Sequence, residues 1–268
     1  MAATMGLEGR LTSSTSGTDL DWLIGTAIKP STCDISVTRE SFADTGFAAT
    51  PPIAVGAISG LDNWSGSFSG PFPKAAPASG HTGFVTFASG YAVNVTGWSL
   101  SASVQMERST ALADTPPTWD SFLPGLYSFT GSYDALIDGT TSIALPSTGA
   151  ASFRISTEAT NDNVLAGNIV ITGMAPGVNV SGKNIVKYTF TVNGNMTTVG
   201  DGSFLEPASA STATALIRPE LTTIVLRASG SKTYTGGAYA SGWTIGAAIG
   251  SPVVASVNFQ GSGALVLA

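Results

Sequence analysis

The amino-acid sequence predicts an all-β (mainly) protein with one or two short helices. Its 32 glycines and 14 prolines punctuate all 268 residues, and the segments between them are rich in Ser, Thr, Val and Ala, as in strands separated by turns. No segment keeps the apolar period of 3.6 residues that a long amphipathic helix requires. Because hydrophobic residues make up 43% of the chain, enough apolar side chains are present for a sizeable core.

The charge and apolar patterns argue against nucleic-acid binding and against a membrane span. Charged residues are only 10% of the chain, against about 25% in ordinary soluble domains. The net charge of −6 argues against specific nucleic-acid binding, which favours a basic surface. No apolar run reaches the length of a membrane span, and the first ten residues lack the apolar core of a signal peptide. A weakly polar surface of this kind suits burial in an assembly.

A short motif occurs twice. Residues 60–68 recur as residues 125–133, so that Phe68 and Tyr133 lie 65 positions apart. In each copy two aromatic residues four apart share a strand face, and a glycine between them leaves room for a close approach. We therefore predict an internal duplication. The matched positions are Leu61, Trp64, Gly66 and Phe68 in the first copy, and Leu126, Phe129, Gly131 and Tyr133 in the second.

Two further matches indicate that one copy is inserted into the other. Residues 35–39 parallel 104–108 at an offset of 69, and residues 188–196 parallel 255–263 at an offset of 67. Both copies of the start motif, at 35–68 and 104–133, precede both copies of the end motif, at 188–196 and 255–263. This order predicts that one module is inserted into the other, because in tandem modules the first end motif would precede the second start motif. The predicted parts are module A at 1–75 plus 205–268, module B at 82–200, and small-residue linkers at 70–82 and 200–212.

Alternation of apolar and polar residues locates the other strands. A helical turn is expected at 115–125, where prolines stand at its start and Pro-Gly at its end. Outside the repeated motif, strands are predicted at 6–11, 33–37, 83–87, 91–95, 98–106, 141–145, 151–156, 168–171, 185–192, 196–199, 221–227, 243–245, 253–259 and 264–267.

Catalytic patterns are weak. His81 is the only histidine and lies in a linker, so a histidine-based metal site is not expected. Cys33 falls on an apolar strand face and is interpreted as a small buried hydrophobe. Asp134 and Asp138 could form a carboxylate pair, but turn and cap roles suit them better. We expect no enzyme activity, no cofactor and no metal.

The order of several motifs resembles that of long-tailed bacteriophage tail tube (major tail) proteins. The resemblance covers most of the chain and implies a β-sandwich or barrel with one short flanking helix. In that family the subunits stack as rings into a hollow tube that conducts DNA. This chain departs from the usual form by carrying two nested modules. The motifs that carry the resemblance are Trp98–Ser101, Arg108, Asp114-Thr115, Trp119, 124–126, 129–133, and again 35–38, 44–47, 60–68, 188–198 and 256–265.

The resemblance implies a structural virion protein of the phage tail, made in the host cytoplasm. We expect self-association into a homotrimeric ring with approximate sixfold symmetry, stacking into a tube, and other tail proteins at the tube ends. DNA is expected to pass during ejection without specific binding, along an acidic or neutral lumen faced by Glu107 and Glu158, and no membrane contact is expected. The alternative is a β-sandwich capsid decoration or glycan-binding protein of a virion, with aromatic platforms among Trp119, Tyr234 and Tyr239.

Overall fold

The fold consists of strands in every part of the chain that the structure describes. The structure is a computed structural model, which describes residues 10–13, 32–44, 56–71, 85–87, 95–111, 118–136, 147–156, 163–177, 184–194, 196–199, 222–229 and 232–267. Within these ranges all regular secondary structure is β, which confirms the mainly β prediction.

Thirteen strands make up this part of the chain. They are β1 (Arg10–Ser13), β2 (Thr32–Asp44), β3 (Gly56–Pro71), β4 (Val85–Phe87), β5 (Val95–Arg108), β6 (Phe122–Leu136), β7 (Ser147–Ser156), β8 (Asn163–Gly177), β9 (Ile185–Val192), β10 (Thr197–Val199), β11 (Thr222–Ser229), β12 (Lys232–Ala248) and β13 (Val254–Leu267).

All of these strands belong to one antiparallel sheet. Its main path runs β2-β3-β13-β12-β5-β6-β9-β8-β7-β4. Strand β11 pairs with β12 and with β1, and β10 pairs with β8. Because β3 lies beside β13, the first and last thirds of the chain meet in the same region of the sheet, while the middle third forms the rest of it.

The same neighbour order occurs twice in this sheet. We define unit A as β1–β3 plus β11–β13, and unit B as β4–β9. Unit A is ordered β2-β3-β13-β12-β11-β1, and unit B is ordered β5-β6-β9-β8-β7-β4. When the six strands of each unit are numbered in chain order, both paths read 2-3-6-5-4-1. The strands of each unit fall inside the ranges predicted for module A and module B, and β12 joins β5 between the units.

Register irregularities also fall at matching places in the two units. Three register shifts of unit A have a counterpart in unit B, at offsets of 65, 69 and 73. The matched shifts lie at Arg39/Ser41 and Val104/Met106, at Ala240/Gly242 and Ile171/Gly173, and at Arg227/Ser229 and Arg154/Ser156. The shifts at Thr235/Gly237 and Val95/Gly97 have no counterpart in the other unit.

Two predicted offsets are wrong by an even number of residues. Ile35 pairs with Gly66 and Leu100 pairs with Gly131, so the offset between β2 and β5 is 65 and not 69. Phe259 and Phe190 oppose the same two glycines, so the offset between β13 and β9 is 69 and not 67. Because strand side chains alternate with a period of two, a slip of two or four residues preserves the pattern and escapes detection by alternation alone.

The helical turn predicted at 115–125 is also wrong where the structure describes it. Residues 118–121 are irregular, and Pro124 lies within β6 at the bulge opposite Met106. A proline is tolerated in a strand where a bulge interrupts the ladder and no N–H is needed. The strands predicted at 253–259 and 264–267 form one strand, β13, and the prediction at 141–145 lies outside the described residues.

The core lies on one face of the sheet, which folds over upon itself. The rings of Trp98 on β5 and Phe153 on β7 have centroids 5.4 Å apart, although β6, β9 and β8 separate these strands along the sheet. Phe153 also stacks on Phe190 of β9 at 5.2 Å. This curvature encloses the aromatic side chains of unit B and leaves the opposite face of the sheet free of them.

Candidate functional site

The aromatic residues of the repeated motif lie in the core. Trp64 and Phe129 are 1% and 3% exposed, and Phe68 and Tyr133 are 2% and 0% exposed. Each pair occupies equivalent places, since Phe68 pairs with Cys33 and Tyr133 pairs with Trp98 at the constant offset of 65.

The motif glycines lie beneath phenylalanine rings. A Cβ at Gly66 would overlap the ring of Phe259 and the carbonyl of Asp34. A Cβ at Gly131 would overlap the ring of Phe190 and the carbonyl of Ser99. Both sites therefore require glycine because a neighbouring ring fills the space of the missing side chain.

The motif leucines lie outside the core. Leu61 is half-buried and Leu126 is 80% exposed. Each lies in the bulge of its strand, beside Gly60 or Gly125, where two residues oppose one on the neighbouring strand.

The face of the sheet opposite the core is lined by hydroxyl and amide side chains. Alternation places these residues opposite the buried ones on seven consecutive strands, from β2 to β9 along the sheet. Among the central residues of this face, the ionisable ones are Asp34, Asp134 and Lys187. We call this surface the hydroxyl face; its central residues are Asp34, Ser36, Ser65, Ser67, Ser99, Ser101, Thr130, Ser132, Asp134, Lys187, Thr189, Thr244, Ser256 and Asn258.

Several hydroxyl groups on this face hydrogen-bond to one another across strands. Ser99 Oγ lies 3.1 Å from Ser132 Oγ, and Ser103 Oγ lies 2.7 Å from Ser128 Oγ. Such pairs use donors and acceptors that would otherwise be offered to a passing ligand. The result is a polar surface with little charge and partly satisfied hydrogen-bonding groups.

The hydroxyl face is continuous across both units because β12 pairs with β5. Residues 242–248 of β12 pair in register with residues 97–103 of β5. On the hydroxyl face Ser101 Oγ lies 2.9 Å from Thr244 Oγ1, and on the core face the rings of Phe129 and Trp243 are 6.3 Å apart. We call this junction the internal seam.

A second contact joins the units at the edge of the internal seam. The segment 118–121 crosses onto unit A, where the N–H of Asp62 donates to the carbonyl of Thr118 at 2.8 Å and the N–H of Asp120 donates to the carbonyl of Asp62 at 2.8 Å. The N–H of Gly263 then donates to the carbonyl of Asp120 at 2.7 Å. This segment therefore acts as a short extra strand on unit A.

The side chain of Asp120 anchors this segment. Asp120 is 4% exposed, and its Oδ1 accepts hydrogen bonds from Arg108 Nε at 2.6 Å and from Thr110 Oγ1 at 3.1 Å. Arg108 also donates from Nη2 to Glu40 on β2 at 3.0 Å. Hydrogen bonds to Glu40 and Asp120 raise the pKa of Arg108, so the guanidinium stays charged. Sequence reasoning missed this cluster because Glu40 is 68 residues from Arg108 and because nothing in the sequence indicates that segment 118–121 crosses onto unit A.

Of the two residues predicted to face the lumen, the structure describes only Glu107. Glu107 is exposed and continues the alternation of Ser99, Ser101 and Ser103 along β5; its Oε1 accepts a hydrogen bond from Gln105 at 2.6 Å. Glu158 lies outside the described residues. The strict run of serines at every second position of β5 is a signal from which the hydroxyl face could have been predicted.

Of the residues considered for chemistry, the structure describes Cys33 and Asp134. Burial raises the pKa of the Cys33 thiol to about 11, and the charge of Asp34 adds to this effect. Asp134 is half-buried on the hydroxyl face, whereas His81 and Asp138 lie outside the described residues. In the described ranges no three His, Cys, Asp or Glu residues cluster in a way that could hold a metal ion.

A scan against protein-family models finds no match to this chain, and a search of curated proteins finds no relative. Among the described residues, no helix is long and apolar enough to cross a membrane.

Proposed function

We propose that this protein is a tail tube subunit, a structural virion protein whose copies form stacked rings around a channel for DNA. The observation that carries the proposal is the hydroxyl face, which runs without interruption over seven strands and both units. A broad, weakly charged polar surface on a stiff sheet suits the wall of a channel better than it suits a pocket.

The chemistry of this face suits the passage of DNA. Proteins that hold DNA neutralise its phosphates with Lys and Arg, and each such contact adds affinity. The central residues of the hydroxyl face include Lys187 as their cation, with Asp34 and Asp134 as anions. The net charge of −6 further disfavours retention, so DNA in contact with this face is free to slide.

Nested duplication explains the organisation of the subunit. The two units share one strand order, and their bulges fall at matching places. Three copies of a subunit with two related units would form a ring with the same number of units as six copies of a single-unit subunit. The ring then has threefold symmetry and approximate sixfold symmetry, and other tail proteins close the ends of the stacked tube.

The alternative, a decoration or glycan-binding protein, finds less support. Glycan platforms need exposed aromatic rings. The candidates Trp119, Tyr234 and Tyr239 are each half-buried, so none offers a free ring face of the kind such a site uses.

Negative-stain electron microscopy of the concentrated protein tests the proposal. We expect rings or tubes with a central channel, and a mass of three chains for the isolated ring. Isolated particles at all concentrations would count against a tail tube. Rings of six chains would refute the trimer and leave the tube in place.

A further inference from the structure

Several strand edges have no neighbour within the described part of the chain, among them those of β1 and β4, and two of these edges are equivalent to the strands that meet at the internal seam. The outer edge of β2 is one of them, since β2 pairs only with β3. Residues 173–177 at the end of β8 form the other, because they pair with β9 on one side and β7 stops at Ile171. Such edges present rows of N–H and C=O groups that can pair with another strand.

The equivalents of these two edges pair with each other inside the chain. Strand β2 corresponds to β5 at an offset of 65, and β8 corresponds to β12 at an offset of 69. At the internal seam Trp243 opposes Ala102, and Thr244 opposes Ser101. Applying the same register to the free edges places Met174 opposite Val37 and Ala175 opposite Ser36.

Two of the exposed large apolar side chains, Val37 and Met174, lie opposite each other in this register. Val37 is 53% exposed and Met174 is 44% exposed. Their equivalents at the internal seam, Ala102 and Trp243, are 5% and 4% exposed. The two free edges therefore carry apolar residues at the places where the internal seam buries them.

We propose that β2 of one copy pairs, antiparallel, with residues 173–177 of β8 in a second copy of this chain. Met174 then opposes Val37, and Ala175 opposes Ser36, in the register of the internal seam. Each copy offers one edge and receives the other, so the contact is head-to-tail and propagates around a ring. The inference deepens the proposed tail tube function and rests on it only for the closure of the ring.

Pro176 makes this interchain seam weaker than the internal one. The N–H of Ile249 donates to the carbonyl of Thr96 at 3.0 Å, so every second residue back along β12, including Ile245, directs its N–H toward β5. Pro176 is the equivalent of Ile245 and has no N–H to donate to the neighbouring Ile35. The interchain ladder therefore lacks one backbone hydrogen bond that the internal seam has. For the same reason, an unrelated strand that paired with this edge would form one hydrogen bond fewer.

Disulfide trapping in the full-length chain tests this pairing. Two single variants, Ser36→Cys and Ala175→Cys, are prepared with Cys33→Ser as background, mixed and oxidised. Opposed residues in an antiparallel pair have Cα atoms about 4.5–5.5 Å apart, within the range that a disulfide spans. We expect a covalent dimer on non-reducing gels in the mixture, and neither variant alone should give one. The double variant should give a covalently closed oligomer.

Matched controls fix the register. The pair Ser101→Cys and Thr244→Cys at the internal seam should oxidise within one chain, because their side-chain oxygens lie 2.9 Å apart. Thr38→Cys mixed with Ala175→Cys is two residues out of register and should link poorly. Val37→Cys with Met174→Cys is a second in-register pair, which repeats the test if the first pair does not fold.

Each outcome bears on a separate claim. Dimers from Ser36→Cys alone, or equal yields in and out of register, overturn the proposed pairing. Rings seen by microscopy without either in-register disulfide overturn it as well, but leave the tail tube standing. Trapped closed trimers that never stack support the pairing and count against the tube. Absence of both rings and disulfides overturns both claims.

Discussion

Gly66 and Gly131 show how one missing side chain shapes each unit. Each glycine faces a phenylalanine on the neighbouring strand, Phe259 on β13 or Phe190 on β9, and the ring occupies the space above the backbone. Sequence reasoning predicted the close approach because the glycine shares a face with two aromatic residues. It could not identify the approaching ring, since that ring comes from a distant part of the chain.

Adding one methyl group at these glycines should destabilise the protein. We expect Gly66→Ala and Gly131→Ala to lower the free energy of unfolding by about 1–3 kcal/mol, because the new Cβ overlaps a packed ring and a backbone carbonyl. Urea unfolding followed by circular dichroism measures the change. Gly97→Ala is the control, since its Cβ would meet the carbonyl of Ala247 at an ordinary 3.4 Å. Equal effects at all three sites would show that the rings do not lie over the glycines.

Whole strands were predictable where polar and apolar residues alternate without interruption. Strand β9 spans Ile185–Val192, as predicted, and its burial alternates at every residue. Strand β12 spans 17 residues, but glycines and alanines along it blur the alternation, and only 243–245 was predicted. The pairing of strands was harder to foresee, because alternation fixes a face and leaves shifts of two residues undetermined.

The segment carried by Asp120 should stabilise the contact between the units. Asp120→Ala removes the buried acceptor of Arg108 and Thr110, and we expect a loss of about 1–3 kcal/mol in the free energy of unfolding. Thermal unfolding at constant salt measures it. Glu40→Ala, which breaks only the exposed branch of the same network, is the control and should stay close to wild type. A larger effect from Glu40 than from Asp120 would contradict this assignment.

At the scale of the molecule, nesting was predicted from the sequence and the hydroxyl face was overlooked. The order of the repeated motifs indicates an insertion, because an inserted copy separates the start of its host from the end, and the nested duplication stays a prediction. The hydroxyl face required the sheet itself, since its residues come from seven strands that the sequence does not place side by side. The number of copies in the proposed ring would depend on the angle between neighbouring units, which no motif encodes.

Cations on the hydroxyl face should make an assembled tube retain DNA. We expect the triple variant Ser67→Lys, Ser101→Lys and Ser132→Lys to hold duplex DNA in a filter-binding assay at low salt. The retention should fall steeply as salt rises, because phosphate contacts release counterions. The same three positions changed to Gln provide a neutral control of similar length. Retention by the Gln variant, or none by the Lys variant in intact tubes, would argue that this face does not line the channel.

The nested chain path also sets the order in which the protein matures on the ribosome. The indole Nε1 of Trp64 on β3 donates to the carbonyl of Gly263 on β13 at 3.0 Å, across a separation of 199 residues. At about 5–20 residues per second, synthesis makes β3 wait roughly 10–40 s for this partner. All strands of unit B emerge during that interval, so unit B has the opportunity to fold first. Unit A closes only after β13 has emerged, and a nascent chain truncated before β13 therefore never presents two finished units.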